Sequence, residues 1–180
     1  MFTNRARLLV IGAFLILMAI ALQWRVYQVV GIIVMFIVLL IWGYFKEGTV
    51  ILAAKAFHNK NYEKAGSLLS QIAKPTWLSK QRRGFYEFIM GGIYLQKQDY
   101  TEAEKHYELA AQYPLRSAND HVAALVHVAN ISIRNANFEK AKAYLQLTEQ
   151  YEAKTTAKMK EVIKKLHQEL EGKVESRDKN

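Results

Sequence analysis

Asn61-Tyr62-Glu63-Lys64-Ala65, Asp99-Tyr100-Thr101-Glu102-Ala103 and Asn137-Phe138-Glu139-Lys140-Ala141 are three copies of one short pattern. Tyr62 to Tyr100 is 38 residues, and Tyr100 to Phe138 is again 38. A fixed period of this size marks a chain built from stacked supersecondary units. In each copy the Asn or Asp suits a turn and a helix N-cap. The aromatic wedges between two helices, and the Ala lets them approach closely. Apolar residues at helical spacing continue each copy: Leu68, Leu69 and Ile72, then Tyr107, Ala110 and Ala111, then Tyr144, Leu145 and Leu147. Each copy therefore opens the second helix of a helix-turn-helix unit.

Residues of about 48–152 resemble the tetratricopeptide repeat family. In the middle unit Gly91 matches the small residue of the family's first helix and Tyr94 its aromatic, while Ala103, Tyr107, Ala110 and Pro114 follow in the second. The first unit offers Leu52, Ala53, Ala65, Leu69 and Pro75, and the third Val128, Ala129, Ala141 and Leu145. The family period is about 34 residues, so each junction here is four residues longer, notably around Pro75–Arg83 and Pro114–Asp120. The family Trp of the first helix is missing, and Glu87 stands in its place in the middle unit. Residues 154–172 read as a capping helix with Met159, Val162, Ile163, Leu166 and Leu170 on one face, as a solenoid end requires. The domain at 46–172 is expected to hold seven helices, followed by a polar tail at 173–180.

The first 45 residues are of another kind. Leu8–Leu22 is an apolar run of 15 residues and Val29–Phe45 one of 17, joined by a polar turn. Neither run has the polar face of a soluble core helix. Trp24 and Tyr27 at the turn, and Trp42 and Tyr44 at the end of the second run, suit a membrane interface. The expectation is a transmembrane helical hairpin, with helices at about 8–22 and 26–45. A basic start and Ala19-Ile20-Ala21 also suit a secretory signal, but the second run so soon afterwards argues against cleavage. Arg5 and Arg7 before the first run, and Lys46, Lys55, Lys60 and Lys64 after the second, outnumber Arg25 in the turn. The positive-inside rule then puts both termini in the cytoplasm of a bacterial-type inner membrane. The fold expected overall is all-α, a hairpin followed by an α-solenoid of three repeats and a cap.

The chain holds 25 Lys and Arg against 16 Asp and Glu, a net charge of +9, and no Cys. Disulfide frameworks and thiolate metal sites are thereby excluded. The first 45 residues carry +3 from three Arg and no acid; the remaining 22 basic and 16 acidic residues leave +6 over the repeats. That excess is modest, and no nucleic-acid recognition motif accompanies it. No phosphate-binding Gly loop, nucleophile elbow or zinc-protease motif is present. Of the five His, His58, His106, His121, His127 and His167, His121 and His127 are too far apart for adjacent turns of one helix and no carboxylate clusters with them, so the His read as surface or groove residues. No cofactor and no metal are expected, and no catalysis. Lys80, Arg82 and Arg83, near Trp77, form a basic cluster in the first junction; with Arg5, Arg7, Trp24, Trp42 and Lys46 they are the expected membrane-surface residues.

What the family resemblance implies for binding is a groove lined by the first helices of successive repeats. On this chain those positions are Val50, Ala54, Phe57 and His58 in the first unit. Phe85, Phe88, Gly92, Leu95 and Gln96 supply the second, and Ala123, Val126, Asn130, Ile133 and Arg134 the third. Val50, Phe88 and Val126 stand where a carboxylate-holding groove has polar groups, so an apolar helix or extended segment is the expected ligand. The expected function is a membrane-anchored scaffold, adaptor or assembly factor that binds protein partners and membrane lipids. The alternative is an accessory structural subunit of a larger membrane machine for transport, secretion or respiration, held mainly by its hairpin.

Overall fold

A computed structural model describes residues 4–47 and 49–178. All of its regular structure among those residues is helical. Two apolar helices, α1 (Asn4–Gln23) and α2 (Tyr27–Glu47), come first. The repeats follow as α3 (Val50–His58) with α4 (Tyr62–Leu69), α5 (Lys80–Gln96) with α6 (Tyr100–Ala111), and α7 (Ala118–Arg134) with α8 (Phe138–Glu149). The last helix, α9, spans Ala157–Asp178.

The three turns inside the repeats are built alike. Lys60, Gln98 and Ala136 are left-handed, with φ of 59°, 61° and 55°. Each lets the following amide reach back over the end of the first helix. Asn61 N–H donates to Ala56 C=O at 2.9 Å, Asp99 to Tyr94 at 3.0 Å, and Asn137 to Ser132 at 2.9 Å. That is the Schellman closure of a helix C-terminus. The same Asn or Asp then caps the next helix, accepting from the backbone N–H of Lys64, Glu102 or Lys140 through its side chain. One residue thus ends one helix and starts the next. Four residues on, Ala65, Ala103 and Ala141 are fully buried where the paired helices meet.

The extra junction residues have two fates. Lys80–Arg83 belong to the first turn of α5 rather than to a loop, after a 3-10 turn at Pro75–Trp77. Gln112–Ser117 remain a loop, whose Tyr113 and Leu115 lie on α5 at Gly84. A Cβ there would come within 2.7 Å of Leu115, so only Gly admits the loop. The buried residues form three clusters along the stack, one around Val50 and Leu69, one around Tyr107 and Val128, and one around Leu145, Leu166 and Leu170. The last helix runs on to Asp178, through the stretch read as a polar tail. Glu169 and Lys173 pair at 3.1 Å, and the Arg177 guanidinium lies 5.9 Å from the Phe138 ring.

The helices α1 and α2 fold back on one another, with Phe14 stacked on Phe36 at 6.0 Å and Arg25 left-handed in the turn. Their membrane-spanning role does not stand. Among the described residues no helix is long and apolar enough to cross a membrane. At 1.5 Å per residue the 15- and 17-residue runs reach about 22 and 26 Å, against roughly 30 Å of hydrocarbon. Arg5, Arg7, Tyr44 and Lys46, which flank the runs, belong to α1 and α2 by their backbone, and their side chains lie outside what is described. The integral inner-membrane location with cytoplasmic termini is corrected on this ground.

Candidate functional site

The first helix α3 lies beside α5 and α7 lies beside α9, while Phe88 of α5 reaches His127 of α7. Between α5 and α7 the seam is aromatic. The His127 imidazole stacks on the Tyr107 ring at 4.4 Å, and Phe88 meets both edge-on, at 5.5 Å from Tyr107 and 6.2 Å from His127. Burial pushes His127 down to about 4 and raises the Tyr107 hydroxyl well above its ordinary value. Both groups are therefore neutral at pH 7. Gly91 and Gly92 allow the close approach. A Cβ on Gly91 would sit 3.0 Å from the Tyr107 ring, and one on Gly92 would collide with Phe57.

Beyond this seam, where α5 and α7 end, a cavity of about 480 Å³ opens between α5, α7 and α9. Leu95, Asn130 and Arg134 line it together with Gln96, Tyr100 and the Glu169–Lys173 pair. The Arg134 guanidinium lies 4.0 Å over the Tyr100 ring, a cation–π contact that fixes its position. Four of the expected groove residues, Leu95, Gln96, Asn130 and Arg134, thus meet at one place.

The other expected positions divide. His58 is exposed, Phe57 and Phe85 are half-buried against the first core, and Phe88 lies in the aromatic seam. Val126 and Ile133 are buried and do not face a groove. They pack with Ala141, Leu145, Leu166 and Leu170, because α9 covers that side of α7. Of the expected surface residues, Trp24 and Trp42 are 76% and 62% exposed, Lys80 is exposed and Arg82 is half-buried. Arg83 is not a surface cation. It pairs at 2.5 Å with Glu87, which is 1% exposed, and His106 Nδ1 approaches the other Glu87 oxygen at 2.5 Å. Tyr94 stacks on the far face of His106 at 5.2 Å. This Arg83–Glu87–His106 group joins α5 to α6 where the family has an aromatic. A second polar group ties α6, α7 and α8: Glu104 accepts from Ser132 at 2.6 Å and from Lys140 at 2.9 Å. Burial opposes the Lys140 charge, but its contacts with Glu108 and Glu104 outweigh that and raise its pKa.

The family model described as the SusR N-terminal TPR domain matches residues 37–170, from within α2 to within α9. No curated protein and no solved structure matches the chain. The stack of helix pairs, its three matching turns and this match over most of the chain agree, and the chain belongs to the SusR N-terminal TPR domain family.

Proposed function

We propose that this protein is a non-catalytic scaffold or adaptor whose first-helix face holds a segment of a protein partner. The repeat fold is of the protein-interaction kind. The observation that carries the reading is the meeting of Leu95, Asn130 and Arg134 at the open cavity beside the Phe88–His127 seam. An apolar strip ending in a few directed polar groups is the chemistry of a peptide groove. A photo-crosslinking amino acid at Gln96 or Asn130, both exposed, tests it in the native cell. One recurrent protein is expected at both positions and absent with the crosslinker at Lys105, on the second helix of that repeat. Equal labelling at all three positions would remove the groove from consideration.

A second reading rests on the hairpin. Leu9, Ile16, Ile32, Phe36 and Leu39 are exposed there, more apolar surface than a lone domain carries. In that reading the chain is an accessory subunit of a larger assembly, and its α1–α2 surface is the main contact. Replacing residues 1–45 with an unrelated helical hairpin separates the two. Retained association supports the groove, and loss supports the hairpin.

A further inference from the structure

Arg134 in the α5–α7–α9 cavity is a cation without a counter-ion among the described residues. Among the described residues no carboxylate lies within ion-pair distance of it, whereas Lys173 on the opposite wall is held by Glu169 at 3.1 Å. Its guanidinium is held over Tyr100, which leaves the in-plane N–H groups pointing away from the ring to donate. Asn130, one turn earlier on the same face of α7, carries an exposed amide with no hydrogen bond among the described residues. A planar two-donor edge beside an amide donor matches a carboxylate. Glu169 on the wall disfavours a more highly charged anion such as a phosphate, while Lys173 offsets it enough to admit one negative charge. Leu95, half-buried at the same cavity, offers apolar contact beside it.

We infer that this cavity is the subsite for an Asp or Glu side chain of the bound partner segment, with an apolar partner residue seated beside it on Leu95. The inference rests on the groove reading above. A side chain fits better than a chain end, because α9, which supplies Glu169 and Lys173 to the wall, extends beyond the cavity, and a segment lying along it need not terminate at Arg134. The net charge of +9 would draw an acidic segment to the protein from solution.

The test is a side-chain NMR titration of the full chain with three blocked probes. They are acetyl-Leu-Ala-Glu-amide, acetyl-Leu-Ala-Gln-amide and acetyl-Leu-Ala-Ala with a free C-terminal carboxylate. The Glu probe is expected to shift the Arg134 Nε–H and Asn130 amide signals and to bind about tenfold more tightly than the Gln probe, the difference a good charged hydrogen bond makes. Arg134→Gln should erase that preference and Arg134→Lys should weaken it. Arg134 is exposed, so neither variant threatens the fold, and Lys105→Gln serves as the control. Equal binding of the Glu and Gln probes, no effect of Arg134→Gln, or binding of the free-terminus probe alone would overturn the inference. Should it fall while Gln96 and Asn130 still crosslink one partner, the groove reading survives. Loss of that crosslink as well removes both.

Discussion

The hairpin and the repeats are both rich in apolar residues, and they use them in opposite directions. In α1 and α2 only Ala21 and Ile33 are buried among the described residues, while leucines, isoleucines, valines and aromatics on all sides face outward. In the repeats the large apolar residues face inward, and among the described residues only Trp77, Leu147, Val162 and Val174 stand exposed there. Composition alone does not separate these arrangements; the periodicity of the polar residues does. A helix with a polar face has one side to bury, and the repeat helices bury that side against each other. The helices α1 and α2 have no such face, so packing against each other leaves most of their apolar surface uncovered.

One truncation made in both regions tests this directly. Leu145 is fully buried between α8 and α9, and Leu39 in α2 is 57% exposed. Leu145→Ala should cost about 2–5 kcal/mol, the range for large-to-small changes in a core. Leu39→Ala should change the unfolding of the repeats by less than about 0.5 kcal/mol. Chemical denaturation of the full chain, followed at Trp77, the one tryptophan of the sequence beyond the hairpin, reads both. A comparable cost at Leu39 would mean that its outward face is covered after all.

Acid sharpens the contrast, because residues 8–45 contain no His, Asp or Glu. In the repeats, His127 titrates near 4 when folded, against an ordinary value of about 6.5. Between those values the unfolded chain binds the proton and the folded one does not. Stability is therefore full above about pH 6.5 and falls as the pH drops toward 4. The depression corresponds to roughly 2–3 kcal/mol, allowing for the ring edge that still meets solvent. His127→Gln should flatten the pH dependence in this window relative to the natural chain, as measured by thermal unfolding from pH 7 to pH 4. An unchanged slope would assign the acid sensitivity to other groups.

The repeats were legible because their signals are local. Asn61, Asp99 and Asn137 each carry a capping side chain, and the buried Ala four residues on recurs with the same spacing. The groove was legible only in part. Nearly every face of α7 is apolar, with Val122, Leu125, Val126, Val128, Ile131 and Ile133 all buried. Periodicity therefore cannot say which stripe of α7 lies under α9, and Val126 and Ile133 fell on the wrong side. The Arg83–Glu87–His106 group left one sign, a Glu among the inward-facing residues of α5, since a buried carboxylate requires partners. Arg83 could be found four residues before it. His106 could not, since its approach depends on how α6 lies across α5. The length of α9 was hidden for a like reason: its last turns are polar and are held by one ion pair and the Arg177–Phe138 contact.

The smallest effect probes the turns. Arg25 in the hairpin and Ala136 in the third repeat share the left-handed conformation, at φ 57° and 55°. An L side chain in that region costs roughly 1–2 kcal/mol, and glycine removes the clash while losing more chain entropy on folding. Ala136→Gly should therefore stabilise the repeats by about 0.5–1 kcal/mol, since Asn137 keeps both its Schellman bond and its cap. Arg25→Gly relieves the same strain but should leave the repeat midpoint where it is, because the bonds that close the hairpin turn, Arg25 N–H to Leu22 C=O, Val26 N–H to Ala21 C=O and Val29 N–H to Val26 C=O, lie within the hairpin. Should Arg25→Gly raise the repeat midpoint as much as Ala136→Gly does, the hairpin and the repeats unfold as one unit. Their opposite use of apolar surface would then be a property of a single cooperative fold.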